Sequence, residues 1–294
     1  MTPTDRERCE ITVVIPTLGR TILRRSLDAI AAGTLRPTEV IVVDQGQSAE
    51  VEGMLRDLQA RGIPARWLPS AERGRALGVN RGIEAAVTRF IAITDDDCLA
   101  HPDWLERVNA HLLEHPDRIV TGRVDAGDET VLVSVRHADA CVQHRPSVRF
   151  DRLSGGNMAL AKATAERIGG LDEDPRVQTA EDTEFAYRAL RSGVTILYEP
   201  AIAVTHLGWR DEVQREGQYS SYARSHGAFY GKYLRRGDMF IAARAALHWM
   251  RALKRWISST LRGDHERAMH SRNYVLGLFA GIREGLARPG PRRG

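Results

Sequence analysis

The sequence predicts a doubly wound α/β fold, with a mostly parallel sheet flanked by helices and a helical extension at the carboxyl end. Three observations carry that prediction. Short apolar runs of strand length, Ile11–Ile15, Val40–Val43, Ala65–Leu68 and Phe90–Thr94, alternate with segments whose apolar residues recur at helical spacing. The connections between them are short, as in successive βαβ units of one sheet. Three runs end in Pro16-Thr17, Asp44 and Asp95, which collects polar residues on the carboxyl edge, where an open α/β sheet keeps its ligand crevice.

In chain order, Ile11–Ile15 is stopped by Pro16, and Thr17-Leu18-Gly19-Arg20 turns into a helix marked by Ile22, Leu23, Leu27 and Ile30 before Gly33. Val40–Val43 delivers Asp44. Val51, Met54, Leu55 and Leu58 then mark a helix closed by Gly62, and Ala65–Leu68 is a third short strand. After Arg73-Gly74-Arg75, the residues Leu77, Asn80, Arg81 and Ile83 belong to a helix that feeds the Phe90 strand. Arg118–Val124 reads as a strand, and no element is assigned from Asp125 to Phe150. Asn157–Leu160 is a strand after the backbone-permissive Ser154-Gly155-Gly156 loop, and Lys162 to Ile168 is a short helix. A helix carrying Phe185, Ala186, Ala189 and Leu190 starts near Ala180 and ends at Gly193. Thr195–Tyr198 and Ile202–Thr205 are expected as two short strands around Pro200.

Composition narrows the class. Hydrophobic residues are 43% and charged residues 27% of 294, which is a folded chain with room for a large core. The three cysteines, Cys9, Cys98 and Cys141, are scattered and without CxxC spacing, so neither a disulfide framework nor a structural zinc site is expected, and a reducing cytoplasmic setting fits. No secretory leader and no apolar run of spanning length is visible. The net charge of +4 is uneven. Leu234 to Gly294 holds 13 Lys and Arg against 4 Asp and Glu, a balance of +9, and the preceding residues carry −5.

The most informative stretch is Thr94-Asp95-Asp96-Asp97. A buried strand cannot hold three acids in its interior, so they must follow its end. Alternation lets Asp95 and Asp97 face one hard cation while Asp96 points elsewhere. A solvated acidic turn capping the helix begun by Pro102 is the alternative. Neither GxGxxG nor GxxxxGK[ST] follows the first strand, so a bound diphosphate would be neutralised by a cation on these acids, helped by Arg73 or Arg75. Gly155 and Gly156 permit close approach of backbone to a ligand, or form an ordinary turn.

Taken together, Val13-Val14-Ile15-Pro16-Thr17, Val40-Ile41-Val42-Val43-Asp44, Asn80-Arg81-Gly82, Asp95-Asp96-Asp97 with His101-Pro102-Asp103-Trp104-Leu105, Gly155-Gly156-Asn157-Met158-Ala159 and Glu181-Asp182 resemble, in this order, the family 2 inverting glycosyltransferases of GT-A fold. The resemblance covers roughly residues 10 to 235. It implies a Rossmann-like GT-A catalytic domain over 1–235, with a nucleotide-sugar half over 10–100 and an acceptor half over 101–235, and a separate basic tail over 236–294. It implies transfer from a nucleoside-diphosphate sugar, UDP-sugar before GDP- or dTDP-sugar, to a hydroxyl of a glycan or lipid-linked acceptor in envelope, polysaccharide or glycolipid synthesis.

Residue by residue, the resemblance places Mg²⁺ or Mn²⁺ on Asp95 and Asp97, with His206 closing the metal site. It makes Asp182 the catalytic base, since a single inverting displacement needs one carboxylate on the acceptor hydroxyl. Pro16, Thr17, Asp44, Gln45, Arg75, Asp95 and Asp96 are expected on the nucleotide sugar, with Gln45 standing where many relatives have a second acid. Gly155, Gly156, Asn157, Glu181 and Trp209 are expected on the sugar and acceptor side, although Glu181 also suits a helix dipole and Trp209 a core.

Two rival readings are a sugar-1-phosphate nucleotidyltransferase, for which the Thr17–Arg20 loop is short, and a non-catalytic carbohydrate-binding protein on the same fold. The basic tail raises nucleic-acid binding, but no reading motif or aromatic interleaving accompanies it. From Met239 to Leu261, Phe240, Leu247, Met250, Leu253, Ile257 and Leu261 follow at helical spacing, with Arg244, Arg251, Arg255 and Arg262 as a second stripe; Tyr274 to Leu286 is a further segment. This tail either packs on the catalytic domain or lies peripherally on the inner face of the cell membrane.

Overall fold

The computed structural model describes residues 7–127, 137–208 and 212–287. The chain forms two compact units: Met1–Pro146, Asp151–Glu173 and Phe185–Trp209 make up the first, and Ser147–Phe150, Asp174–Glu184 and Arg210–Gly294 the second.

The first unit opens with β1 (Ile11–Thr17), α1 (Leu23–Ala32), β2 (Glu39–Asp44), α2 (Ala49–Ala60), β3 (Ala65–Pro69), α3 (Arg75–Ala85) and β4 (Phe90–Thr94). The cores of strands β1, β2 and β4 are largely apolar because both faces are covered. Successive side chains alternate between the two sides. Val13, Ile15, Val40 and Val42 join Leu23, Leu27, Val51 and Leu55 in one core, whereas Val14, Ile41, Val43, Ile91 and Ile93 join Val79 and Ile83 in another. The pairs β1–β2, β1–β4 and β2–β3 are all parallel, and the register Thr17 to Asp44 to Pro69 aligns their carboxyl ends.

Beyond β4 the sheet changes character. It continues with β5 (Cys98–Ala100), α4 (Trp104–Glu114), β6 (Ile119–Ala126), β7 (Cys141–Gln143), β8 (Asn157–Ala161), α5 (Lys162–Ile168), α6 (Glu181–Arg191) and β9 (Ile196–His206). The strand order is β3-β2-β1-β4-β8-β6-β9-β5, with β7 paired to β9. Here β8 runs antiparallel to β4 and β6, and β5 and β7 run antiparallel to β9, so the sheet is mixed. The two short strands expected around Pro200 are one strand. Its pairing with β6 jumps from Gly122–Glu199 to Arg123–Ala203, and Pro200, which has no N–H for the ladder, sits in that bulge.

The second unit contains α7 (Glu212–Leu234), α8 (Met239–Leu261) and α9 (His265–Leu286), together with the first turn of α6. This helical unit takes in α7. Helices α7 and α9 touch backbone to backbone. A Cβ added at Gly281 would overlap the carbonyl of Arg224, and one at Gly227 the carbonyl of Leu278. Asp238 and Asp264 cap α8 and α9 by accepting from Ile241 N and Arg267 N, each at 3.1 Å. The inward side of α8 holds Ile241, Ala245, Ala252, His248 and a fully buried Arg244, whose guanidinium lies 5.9 Å from the Phe229 ring centre. Arg244 thus leaves the arginine stripe that its spacing suggested. No helix among the described residues is long and apolar enough to cross a membrane.

His248 is a buried neutral group. Its Nε2 lies 2.5 Å from the Arg149 carbonyl, which can only accept, so Nδ1 at 2.6 Å from Tyr230 Oη is the acceptor of that hydroxyl. Burial, followed by the nearby Arg244, His226 and Arg251 charges, pushes its pKa down from 6.5 to about 4 against the pull of the Arg149 carbonyl. Between those values the unfolded chain holds the extra proton, so stability falls as pH drops through that window. The expected loss is up to about 3 kcal/mol. Urea denaturation at pH 7 and pH 4.5 should show it in the wild type and much less of it in His248→Gln; equal losses would remove His248 as the cause. Separately, Gly281→Val should lower the unfolding free energy by roughly 2 kcal/mol or more, because α7 and α9 must separate to admit the side chain.

Candidate active site

The carboxyl ends of β1, β2 and β4 bring the expected polar residues to one edge of the first unit. Asp96 is 1% exposed and points inward. Thr17 Oγ1 donates to its Oδ2 at 2.6 Å, Arg20 Nε donates to the same oxygen at 3.0 Å, and an Arg20 terminal nitrogen reaches Oδ1. Ser26 Oγ donates to its main-chain carbonyl at 2.8 Å. Burial raises the Asp96 pKa, opposed by Arg20 and Thr17 and assisted by Asp97. The Arg20 pKa is pulled down by burial and more than restored by Asp96 and Asp97. This buried pair pins the turn after β1 to the turn after β4. Arg20, unassigned from the sequence, is one of its two charges.

The flanking acids turn to either side. Asp95 Oδ1 accepts from Arg75 Nε at 2.7 Å, and a Cβ on Gly156 would stand 2.8 Å from Asp95 Oδ2. A Cβ on Gly155 would likewise stand 2.8 to 3.0 Å from the Arg75 guanidinium. The two glycines therefore admit this ion pair, and Thr94 Oγ1 donates to Gly156 O at 3.0 Å to hold them there. Asp97 is 3% exposed, with Oδ1 3.3 Å from His206 Nε2 and Oδ2 3.7 Å from Arg20. The short strand β5 makes that approach possible, because Cys98 is registered opposite His206 on β9, and Leu207 N donates to Asp97 O at 2.8 Å.

Asp97, Cys98 and His206 present donor atoms within 4.8 Å of one another. Burial, reinforced by Asp95 and Asp97, pushes the Cys98 thiol well above its ordinary pKa, so it stays protonated and is a poor ligand. A carboxylate oxygen and an imidazole nitrogen remain, a donor set that suits Mn²⁺ better than Mg²⁺.

Several expected contacts are taken up inside the chain. Asp44 is fully buried; Oδ1 accepts from Gly46 N at 2.9 Å and Gln47 N at 3.1 Å, and Oδ2 from Ser48 N at 2.8 Å and Trp67 Nε1 at 3.1 Å. Those four donors fill its lone-pair directions, and Asp44 builds the β2–α2 loop. Gln45 donates to Gly74 O at 2.8 Å and accepts from Gly74 N at 3.3 Å. Asn157, expected on the acceptor side, is 1% exposed. Its Oδ1 accepts from Trp104 Nε1 at 2.9 Å, and its Nδ2 donates to Arg123 O and Ile202 O at 3.0 Å each, so it ties β8 to β6 and β9. Pro16 precedes Thr17 in β1, and Trp209 lies outside the described residues.

Glu181 and Asp182 belong to the second unit, on the first turn of α6. Asp182 is half-buried, and its Oδ1 accepts from Thr183 N at 2.6 Å. Glu184, two residues further, is fully buried and accepts from Tyr233 Oη at 2.6 Å. The approach to this turn is fixed by Arg176, which grips Asp174 through Nε at 2.9 Å and donates to Glu284 O at 2.7 Å at the end of α9. Burial raises the Asp174 pKa, but Arg176 and Lys232 more than offset this, so it is lowered.

Among solved structures, the chain resembles a mannosyltransferase from Pyrobaculum calidifontis bound to GDP-Man and Mn²⁺, with TM-score 0.64, 18% identity and coverage of 97% of this chain and 88% of that one. S. aureus TarS 1-349 in complex with UDP-GlcNAc matches with TM-score 0.61, 12% identity and coverage of 95% and 91%. These likenesses are of fold. In sequence, the chain is 26% identical over 223 residues to a chondroitin synthase of Escherichia coli, covering 62% of this chain and 32% of that protein. It is 24% identical over 229 residues to a hyaluronan synthase of Pasteurella multocida, covering 64% and 24%. It spans a third or less of the length of these two relatives. Residues 12–160, just over half of the chain, match the model of glycosyl transferase family 2, and with the mixed sheet and acidic edge described above the chain is a glycosyltransferase of that family.

Proposed function

We propose that this enzyme transfers a sugar from a nucleoside-diphosphate donor, a UDP-sugar before GDP- or dTDP-sugar, to a hydroxyl of a glycan or lipid-linked acceptor, inverting the anomeric centre. The setting proposed is the cytoplasmic side of the cell membrane, in polysaccharide or glycolipid synthesis. One observation carries the reading: Asp97 and His206 stand 3.3 Å apart beside the Asp95–Arg75 pair, at the end of a buried strand where no glycine-rich phosphate loop exists. Asp97 and His206 would hold Mg²⁺ or Mn²⁺, with Asp95 beside them. When bound, the ion supplies positive charge that offsets the diphosphate as it departs.

The remaining chemistry falls to side chains of the chain. Arg75, held by Asp95, adds a fixed cation on the donor side, and Thr17 keeps the edge in place through Asp96. Asp182 takes the proton from the acceptor hydroxyl, the freed oxygen pair forms a bond to the anomeric carbon, and the bond from that carbon to the diphosphate oxygen breaks. The nucleoside diphosphate leaves with that electron pair. Its anchored helical turn suits Asp182 to this role, since a base must be held within hydrogen-bond reach of its proton.

Chelation by EDTA should abolish transfer and added Mn²⁺ should restore it, and Asp97→Ala should lower the rate by about 10²-fold or more. Full turnover in excess EDTA would remove the metal from the reaction. Asp182→Asn should lower kcat by ~10² to 10⁴ with donor affinity nearly unchanged, read by single-turnover kinetics and donor titration. Near wild-type turnover would move the base to another carboxylate, Glu181 or Asp172 first.

A further inference from the structure

Helix α8 turns its apolar side chains away from the unit it belongs to. Met239, Met250, Ile257 and Leu261 are 78%, 54%, 51% and 82% exposed. At 100° per residue they fall within about 40° of one another around the helix. Met250, Leu253, Ile257 and Leu261, with Lys254 and Ser258, line a shallow apolar depression of about 350 Å³. The inward positions hold Ile241, Arg244, His248, Ser259 and small residues. Trp249, 40% exposed, lies about 80° from the stripe on one side, and exposed Lys254 borders it on the other, with exposed Arg262 about 100° beyond Leu261 at the helix end. Helix α9 exposes Leu276 and Phe279 between Arg272 and Arg283.

We infer that the outward face of α8 docks on an anionic phospholipid bilayer. Charge decides between occupants. The Met239–Leu261 segment contains no Asp or Glu and four Lys and Arg. In a twofold pairing of two copies, this face would meet itself and set like charges against each other with no carboxylate on the helix to answer them. Anionic headgroups answer Lys254 directly and the long Arg262 side chain from the helix end, while the apolar stripe reaches the acyl boundary and Trp249 sits at the interface. Each basic residue near such a surface contributes about a fivefold gain in partitioning, which salt screens. The attachment is therefore peripheral and reversible, and it stands independently of the donor, metal and base assignments.

The test is co-sedimentation of the full chain with phosphatidylglycerol-containing vesicles and with pure phosphatidylcholine vesicles, at low and high salt, alongside analytical ultracentrifugation. The variants are Ile257→Glu with Leu261→Glu, and Lys254→Glu with Arg262→Glu. All four positions are exposed, and thermal melts confirm that each variant is folded. The wild type should sediment with anionic vesicles at low salt, be released at high salt, and ignore neutral ones. Each double variant should bind at least about tenfold more weakly. Three results overturn the inference: no binding to anionic vesicles, equal binding to neutral ones, or a wild-type dimer that the Glu variants dissolve while vesicle binding is absent, which would make the face a contact between copies.

Discussion

Three consecutive carboxylates at the end of a buried strand are a liability that the Arg20–Asp96 pair resolves. Left ionised and unpaired, the middle acid would face a large desolvation penalty, since a carboxylate loses its hydration on burial. Arg20 supplies the countercharge and Thr17 a further donor, so the central acid becomes an internal post. The consequence is geometric. With Asp96 fixed inward, Asp95 and Asp97 project from the turn on either side, one to Arg75 and the other to His206. The same pair joins the loops after β1 and β4, so the edge that receives a ligand is stiffened before any ligand arrives.

The opposite wall is set by β9, the strand that runs on past its bulge to His206. Its bulge at Pro200 absorbs extra residues, and the strand beyond it pairs with β5 in the register that puts Cys98 across from His206. Asn157 supports this arrangement from below by bonding to Ile202 O within the bulge region and to Trp104 on α4. The histidine is thus positioned by main-chain pairing and by a buried amide, which holds a side chain more firmly than a loop would. Gly155 and Gly156 complete the wall by having no side chain to displace the Asp95–Arg75 pair.

Much of this was legible in the sequence where one physical rule dominates. Strands buried on both faces must be continuously apolar, and β1, β2 and β4 were readable for that reason. Alternation set Asp95 and Asp97 apart from Asp96, which turns inward while they turn to either side of it. Asn157 was not legible, because a polar residue after two glycines looks the same whether it faces a ligand or a core carbonyl, and only the β6–β9 bulge decides. The internal partners of Asp44 and Gln45 were not legible either, since they are largely main-chain groups that no pattern marks. Helix α7 escaped notice because it meets α9 through glycines rather than through an apolar stripe. Arg244 shared the spacing of Arg251, but the buried aromatic Phe229 drew it inward.

The second unit shows how a helical assembly can keep its apolar side chains for another surface. Helices α7 and α9 hold together by close backbone approach, where dispersion over a large contact replaces bulky side chains. Capping aspartates fix the ends of α8 and α9, and buried polar pairs such as Tyr230–His248 and Tyr233–Glu184 give the interior direction. Directional bonds of this kind tolerate little displacement, because a broken partner leaves a buried polar group unsatisfied. Apart from Ile241, no large aliphatic residue of α8 is fully buried inside. The turn that carries Asp182 is counted in the same unit, fastened by Glu184 to α7 and by Arg176 to the end of α9. The proposed base and the outward face of α8 consequently share one rigid set of hydrogen bonds, so that a surface held by α8 and an acceptor engaged by Asp182 are addressed by the same body.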